Sequence, residues 1–158
     1  MPQIELTVPR GALADDAIDS LMGEMTTTLL RYEGAPVDSP AAREISWGYV
    51  HEVAPERTYH GGANAAGAAP RYRVDLTVPQ GALTAEKKNE LVGELTHLIL
   101  AAEGTDDEAA AMRVWVLVRE VPDGNWGGVG RTWTLREIAQ LVAAGDAGPA
   151  AVAAGASS

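Results

Sequence analysis

Pro2 stands directly behind the initiator Met1 and is the residue of this chain with the clearest capacity for chemistry. Removal of Met1, which is usual before a small residue, would turn the Pro2 nitrogen into a free secondary amine. The reference pKa of an α-amino group is about 7.7 to 8.0, and burial in an apolar pocket lowers it because burial disfavours the charged ammonium. A neutral amine at pH 7 can take a proton from a carbon beside a carbonyl, or from an enol oxygen, and return it elsewhere. A retained Met1 would leave an amide nitrogen without basicity.

An internal duplication places Pro2 at the start of a repeated unit. Residues 6–13, with the sequence LTVPRGAL, return with one change as LTVPQGAL in residues 76–83, at an offset of 70. The second copy has Tyr72 where the first has Pro2, and tyrosine offers no amine. The sequence therefore predicts two related pockets in each chain, of which only the Pro2 pocket is reactive.

Each copy predicts a strand, a helix and a second strand. Apolar and polar residues alternate over residues 3–9 and 73–79, as in strands with one packed face, and apolar residues at helical spacing follow each of them. Second strands are expected around residues 45–53 and 113–121, once a two-residue slip is allowed. A helical crossover joins parallel strands. The predicted fold class is therefore α/β (α+β), with tandem β-α-β units that form a four-stranded mixed sheet and two helices on one face.

The second face of this sheet has no predicted cover. Beyond the repeats, Thr134 and Glu137 stand at capping-box spacing ahead of an apolar stripe, which predicts one short terminal helix. An exposed sheet face of this size is normally buried against other subunits. The sequence therefore predicts an oligomer.

The domain organisation follows from the repeats. We expect a single domain over residues 1–142, made of repeats 2–60 and 71–133. The linker 61–70 consists mainly of Gly and Ala, which is typical of a flexible connection. Residues 143–158 are rich in Ala, Gly and Ser and have little to bury, so they are predicted to form a disordered tail.

The composition excludes several partners and chemistries. The chain has 22 acidic and 12 basic residues and a formal net charge of −10, which argues against nucleic acid because phosphate-backbone binding needs clustered Lys and Arg. There is no cysteine, and the three histidines follow no recognised metal spacing, so no thiol chemistry and no metal are expected. No leader precedes the first strand, and no apolar run approaches the roughly 20 residues of a membrane span. We therefore expect no membrane partner and a cytoplasmic location.

Three features together resemble the tautomerase superfamily, which includes 4-oxalocrotonate tautomerase, malonate semialdehyde decarboxylase and the chloroacrylic acid dehalogenases. These features are Pro2 after Met1, the doubled β-α-β unit, and the turn EVPDGNWGGVG at residues 120–130. The resemblance covers residues 2–142. It implies a tautomerase/MIF-like fold, a homotrimer as in other two-copy members, no cofactor, and Pro2 as the catalytic residue.

The resemblance also assigns candidate binding residues. Trp126 matches an aromatic residue that walls the active site, and Tyr59 holds roughly the matching place in the first repeat. The chain departs from the family where substrate carboxylates are usually bound by arginine, because one such region is PQGAL at residues 79–83 and the other positions are Trp47 and Trp115. Residues that could replace the missing arginines are Arg113, Arg119, Arg10 and Arg131, and the strand pairing would bring Gln80 near Pro2.

The function that these observations favour is that of a cofactor-independent isomerase, a tautomerase. Pro2 would act as the general base in enol–keto proton transfer on a small 2-oxo or 2-hydroxy-enoic acid. Two alternatives stay open. A decarboxylase or a hydratase/dehalogenase-type lyase of the same fold would use protonated Pro2, and the turn that ends in Arg131 favours it. A non-catalytic trimeric binding protein is favoured by the missing arginines.

Overall fold

The structure is a computed structural model and describes residues 2–146. In chain order the elements are β1 (Gln3–Pro9), α1 (Asp15–Glu33), α2 (Pro40–Glu44), β2 (Trp47–Val53), β3 (Tyr59–His60), β4 (Ala63–Asn64), β5 (Tyr72–Pro79), α3 (Ala85–Glu103), β6 (Val114–Val121), β7 (Trp126–Gly128), β8 (Arg131–Trp133) and α4 (Leu135–Asp146). Short 3-10 turns precede β3 and β6. Among the described residues, no helix is long and apolar enough to span a bilayer.

The four long strands form one mixed sheet in the order β2-β1-β5-β6. Strand β1 is parallel to β2, β5 is parallel to β6, and the two first strands, β1 and β5, meet antiparallel at the centre. The helices of both repeats pack on one face of the sheet. The predicted fold class is confirmed, and so is the two-residue slip, because Gln3 lies opposite Trp47 and Arg73 lies opposite Trp115.

The core lies between this sheet and the helices α1 and α3. The alternating apolar residues of the two central strands are at most 1% exposed: Ile4, Leu6, Val8, Val74, Leu76 and Val78. Both helices end at a glycine with a φ of 78°, Gly34 and Gly104, where the left-handed conformation is inexpensive only for a residue without a Cβ. Every second residue of these strands therefore points toward the helices and is buried by them.

The other face of the sheet is open in the single chain. Its exposed apolar side chains are Trp47 (63%), Tyr49 (46%), Trp115 (68%) and Leu117 (39%). At its centre Asp75 is buried between two arginines: Arg73 Nε lies 2.6 Å from Oδ2, and Arg119 Nη2 lies 2.7 Å from Oδ1. We call this surface the outer face.

The linker between the repeats contains a short strand, which the sequence did not predict. Strand β4 lies inside residues 61–70 and pairs antiparallel with β3. The main-chain nitrogen of Ala65 also donates to the carbonyl of Thr58 at 2.9 Å. Main-chain hydrogen bonds thus form a hairpin in a segment that has few side chains to bury, and the flexibility of the linker stays a prediction.

The carboxyl-terminal helix is confirmed, but it is longer than expected. Helix α4 continues to Asp146, so the prediction of a disordered tail from residue 143 was wrong for its first four residues. The reason is tertiary: Ala143 and Asp146 line a cavity, and Asp146 Oδ1 accepts a hydrogen bond from the main-chain nitrogen of Ala41 at 3.3 Å. The rest of the predicted tail, residues 147–158, lies outside the described residues.

Candidate active site

Pro2 lies at the end of an apolar cavity of about 310 Å³. It is buried, and its carbonyl accepts a hydrogen bond from the main-chain nitrogen of Trp47 at 3.1 Å, which fixes the start of β1 against β2. The antiparallel pairing of β1 with β5 brings Pro79 to the same cavity. The end of α1 adds Leu30 and Glu33. Residues distant in the sequence therefore enclose Pro2.

Helix α4 closes this cavity with the apolar residues Leu135, Ile138 and Val142. Its first turn is fixed by the predicted capping box, because Glu137 Oε2 accepts from the main-chain nitrogen of Thr134 at 2.7 Å and from the Thr134 hydroxyl at 2.8 Å. Ile138 is 4% exposed. The terminal helix that the sequence predicted is thus a wall of the Pro2 cavity.

Glu33 is a half-buried charged group of the cavity. Its Oε1 is buried and has no hydrogen-bond partner in the described structure. Burial raises the pKa of Glu33 to about 7, and the positive charge of the chain's amino terminus opposes this shift. Asp146 also lines the cavity, but it is exposed. None of the described residues that line this cavity is Lys or Arg.

A second cavity, of about 540 Å³, has a different charge arrangement and is lined by the end of β1, the linker and Glu103. Glu103, the counterpart of Glu33, is paired there with Arg113 at 2.9 Å. Tyr72 stands in place of Pro2 and is 2% exposed, and its hydroxyl has no partner in the described structure. The pKa of Tyr72 is raised to about 12, first by burial and then by the negative charge of Glu103, while Arg113 acts in the opposite direction. The second repeat therefore has a neutral phenol at Tyr72 and a compensated carboxylate at Glu103.

None of the five predicted binding residues is among the described residues that line the Pro2 cavity. Arg10 lines the second cavity, Arg113 binds Glu103 beside it, and Arg119 binds Asp75 on the outer face. Trp126 is half-buried in the β7–β8 hairpin, opposite Trp133.

Gln80 is the predicted residue that follows the cavity wall most closely. It comes directly after Pro79, which lines the cavity, and its main-chain nitrogen donates to the carbonyl of Val121 at 2.8 Å. Its side chain is exposed. The antiparallel pairing thus brings this end of β5 close to Pro2, as the sequence predicted, and the binding role of Gln80 stays a prediction.

Sequence reasoning missed Glu33. The available signal was the repeat itself, because Glu33-Gly34 recurs as Glu103-Gly104 at the ends of α1 and α3. At the two-residue slip that aligns the second strands, Ile45 corresponds to Arg113, so the first repeat keeps the carboxylate but lacks its arginine. Comparison of the repeats would have indicated an unpaired acid beside Pro2.

Comparisons with known proteins agree with this architecture. A family model described as Tautomerase enzyme matches residues 73–134. The wild-type F6 fused 4-OT, an asymmetric trimer, is 22% identical with a TM-score of 0.66, over 82% of this chain and 94% of that chain. Pt0534 inactivated by 2-oxo-3-pentynoate is 17% identical with a TM-score of 0.67, over 86% and 98%.

A macrophage migration inhibitory factor homologue from Prochlorococcus marinus is 21% identical with a TM-score of 0.62, over 83% of this chain and 98% of that chain. At these identities the structural likeness shows the fold. No curated protein sequence matches the chain.

Proposed function

The chain belongs to the tautomerase superfamily, and from this premise we propose that it is a cofactor-independent isomerase whose general base is Pro2 after removal of Met1. The proposed reaction is enol–keto proton transfer on a small 2-oxo or 2-hydroxy-enoic acid. The observation that carries the proposal is the position of Pro2, which is buried at an apolar cavity large enough for a small acid. Burial there would hold the pKa of the free amine below its reference value, so that part of it is neutral at pH 7.

The reaction needs one proton acceptor that becomes a proton donor. The lone pair of the Pro2 nitrogen forms a new N–H bond as the enol O–H bond breaks, and the electrons of that bond form the carbonyl. The carbon at the far end of the shifting double bond then takes a proton from the Pro2 ammonium. The amine returns to its neutral state, so no cofactor is consumed. The pyrrolidine ring suits this role because it fixes the direction of the lone pair.

We propose that the active assembly is a homotrimer in which a neighbouring subunit supplies the cation for the substrate carboxylate. The fused 4-OT structures F6, Q0 and R7 are trimers, and the outer face of this chain is open and has several exposed apolar side chains. The absence of Lys and Arg from the described wall of the Pro2 cavity supports the need for such a contribution. Arg10 is exposed at the end of β1 and can be presented to another chain, whereas Arg113 is engaged by Glu103.

The test compares three proteins whose amino-terminal residue is first established by intact mass. Enol–keto exchange of phenylpyruvate or 2-hydroxymuconate is measured for the wild type, for Pro2→Ala, and for a variant with one Ala inserted between Met1 and Pro2. The inserted residue keeps the proline but converts its nitrogen to an amide, so we expect kcat/KM to fall by about 10²- to 10⁴-fold. Pro2→Ala should be intermediate, because alanine retains a primary amine. Equal rates for all three would remove Pro2 from the mechanism and favour a binding protein.

A second candidate is a lyase of the same fold that uses protonated Pro2. The unpaired carboxylate of Glu33 in the Pro2 cavity favours this candidate, because a nearby negative charge stabilises an ammonium. The pH dependence of kcat/KM distinguishes the two. An apparent pKa of the free enzyme near about 6 to 7 supports proton abstraction, and one well above about 8 supports the lyase.

A further inference from the structure

We propose that Glu33 and the amine of Pro2 hold one proton between them, which makes Glu33 the residue that sets the charge of the amine. This inference rests on the proposed function, since it requires that Met1 is removed. It concerns a residue that acts through Pro2, so we regard Glu33 as a positioning residue. Three observations carry it: the shared cavity, the missing partner of Glu33, and the contrast between the two repeats.

The first observation is that Glu33 and Pro2 line the same cavity and that Glu33 has no other cation there. The Glu33 Oε1 is buried without a hydrogen-bond partner in the described structure. A buried carboxylate without a partner is expensive, because it loses its hydration and gains nothing in return. The positive charge of the amino terminus acts on Glu33, and removal of Met1 would move that charge one residue inward, onto the Pro2 nitrogen.

The other charged groups near Glu33 leave this amine as its candidate partner. On the same helix, Arg31 is exposed and forms an ion pair with a carboxylate of α3. From α3, Lys87 donates to a main-chain carbonyl of α1 at 2.7 Å. From α4, Asp146 is negative and exposed. None of these three residues supplies the cavity with a free positive charge.

In the second repeat, the carboxylate equivalent to Glu33 has an arginine as its partner. Glu103 occupies the place of Glu33 and is paired with Arg113, while Tyr72 occupies the place of Pro2. In the first repeat the arginine is replaced by Ile45 and the tyrosine by proline, so the only new cation is the prolyl amine itself. The carboxylate is thus retained in both repeats, and its counter-charge is supplied from a different element in each.

The shared proton has a chemical consequence. The pair exists as prolyl ammonium with carboxylate, or as prolyl amine with carboxylic acid, and the two forms interconvert when one N–H bond breaks and one O–H bond forms. Both forms have no net charge. Pro2 can therefore exchange this proton with Glu33 without leaving a single charge buried in the apolar cavity, which would be costly.

The test follows the Pro2 nitrogen directly. Protein labelled with [15N]proline is titrated by NMR, in which Pro2 is the proline whose nitrogen can gain a proton, and the wild type is compared with Glu33→Gln. Loss of a negative charge within about 4 to 6 Å lowers the pKa of an amine by about 1 unit or more, so we expect the midpoint to move down by that amount. An unchanged midpoint would overturn the inference.

Two further measurements separate the possible failures. The control Glu24→Gln removes the same charge from an exposed position on α1, about 13 Å away along the helix, and should leave the midpoint unchanged. If Glu33→Gln does not fold, the labelled Glu33 carboxyl of the wild type is titrated instead: a coupled pair shows the same two inflections in both nuclei. Independent single inflections would contradict proton sharing. A Pro2 nitrogen that does not titrate at all would instead contradict the proposed function.

Discussion

At the scale of single residues, the two repeats differ in the partner of one carboxylate, which is Glu33 in the first repeat and Glu103 in the second. Glu103 and Arg113 are each 16% exposed as side chains and form an ion pair, and Arg113 also donates to the carbonyl of Pro70 at 2.7 Å. Glu33 lacks such an arginine. The arginine that the sequence suggested for substrate binding is thus engaged in holding the second repeat together. Its binding role stays a prediction that depends on whether the assembled protein releases it.

The role of Arg113 can be tested through stability. We expect Arg113→Met to lower the free energy of unfolding by about 2 kcal/mol or more, because it leaves the carboxylate of Glu103 buried and unpaired. The double variant Glu103→Gln, Arg113→Met should recover much of this loss, since no unpaired charge remains. Urea denaturation measures both. A single variant as stable as the wild type would contradict a structural role and return Arg113 to the substrate-binding candidates.

At the scale of elements, helix α4 connects a local capping signal to the chemistry of the site. The pKa of Glu137 is lowered to about 2, first by the main-chain N–H of Thr134 and then by Arg131. The cap holds Leu135 and Ile138 over the Pro2 cavity. A motif of four residues therefore helps to position the helix that covers Pro2.

The capping box predicts a specific pH dependence. A carboxylate whose pKa is lowered on folding stabilises the fold above its unfolded value, near 4.5, and this contribution disappears as the pH falls through about 2. Thermal melts should therefore show Glu137→Ala to be less stable than the wild type at pH 6, and the difference should shrink between pH 4.5 and pH 2. Arg136→Ala, an exposed position on the same turn, is the control. A difference that persists unchanged at pH 2 would show that the carboxylate is not the stabilising group.

At the scale of the whole molecule, the outer face is the feature that a single chain leaves unexplained. Large apolar side chains flank the buried Asp75 and its two arginines, and α1 and α3 are on the opposite side. Exposed aromatic residues of this number on one sheet face are typical of a subunit contact. The proposed homotrimer would bury them and would bring the edge of one chain to the cavity of another.

Substitution on the outer face tests this assembly. We expect Trp115→Asp to convert the trimer to the 16.5 kDa monomer, because a buried contact cannot accommodate an unpaired carboxylate. Sedimentation velocity measures the mass of each species. Met112→Asp is the matched control: Met112 is 83% exposed but lies outside the sheet, so its variant should keep the threefold mass. A wild type that sediments as a monomer would refute the trimer.

The sequence by itself determined the fold, the repeat and the position of Pro2. Strand alternation and helical spacing are local patterns, and the duplicated segment LTVP fixed the equivalence of the two halves. The capping box at Thr134 was likewise readable from four residues. The hairpin inside the linker and the length of α4 could not be predicted from the sequence, because they depend on main-chain hydrogen bonds and on contacts with distant residues.

Only the tertiary structure decided which charges meet. Arg113 and Arg119 were both candidates for substrate binding, yet each binds a carboxylate of its own chain, Glu103 or Asp75. Glu33 had no visible role until α4 and the end of β5 enclosed it with Pro2. Ion pairs and cavities depend on the distances between elements that lie far apart in the sequence, and periodicity contains no information about those distances.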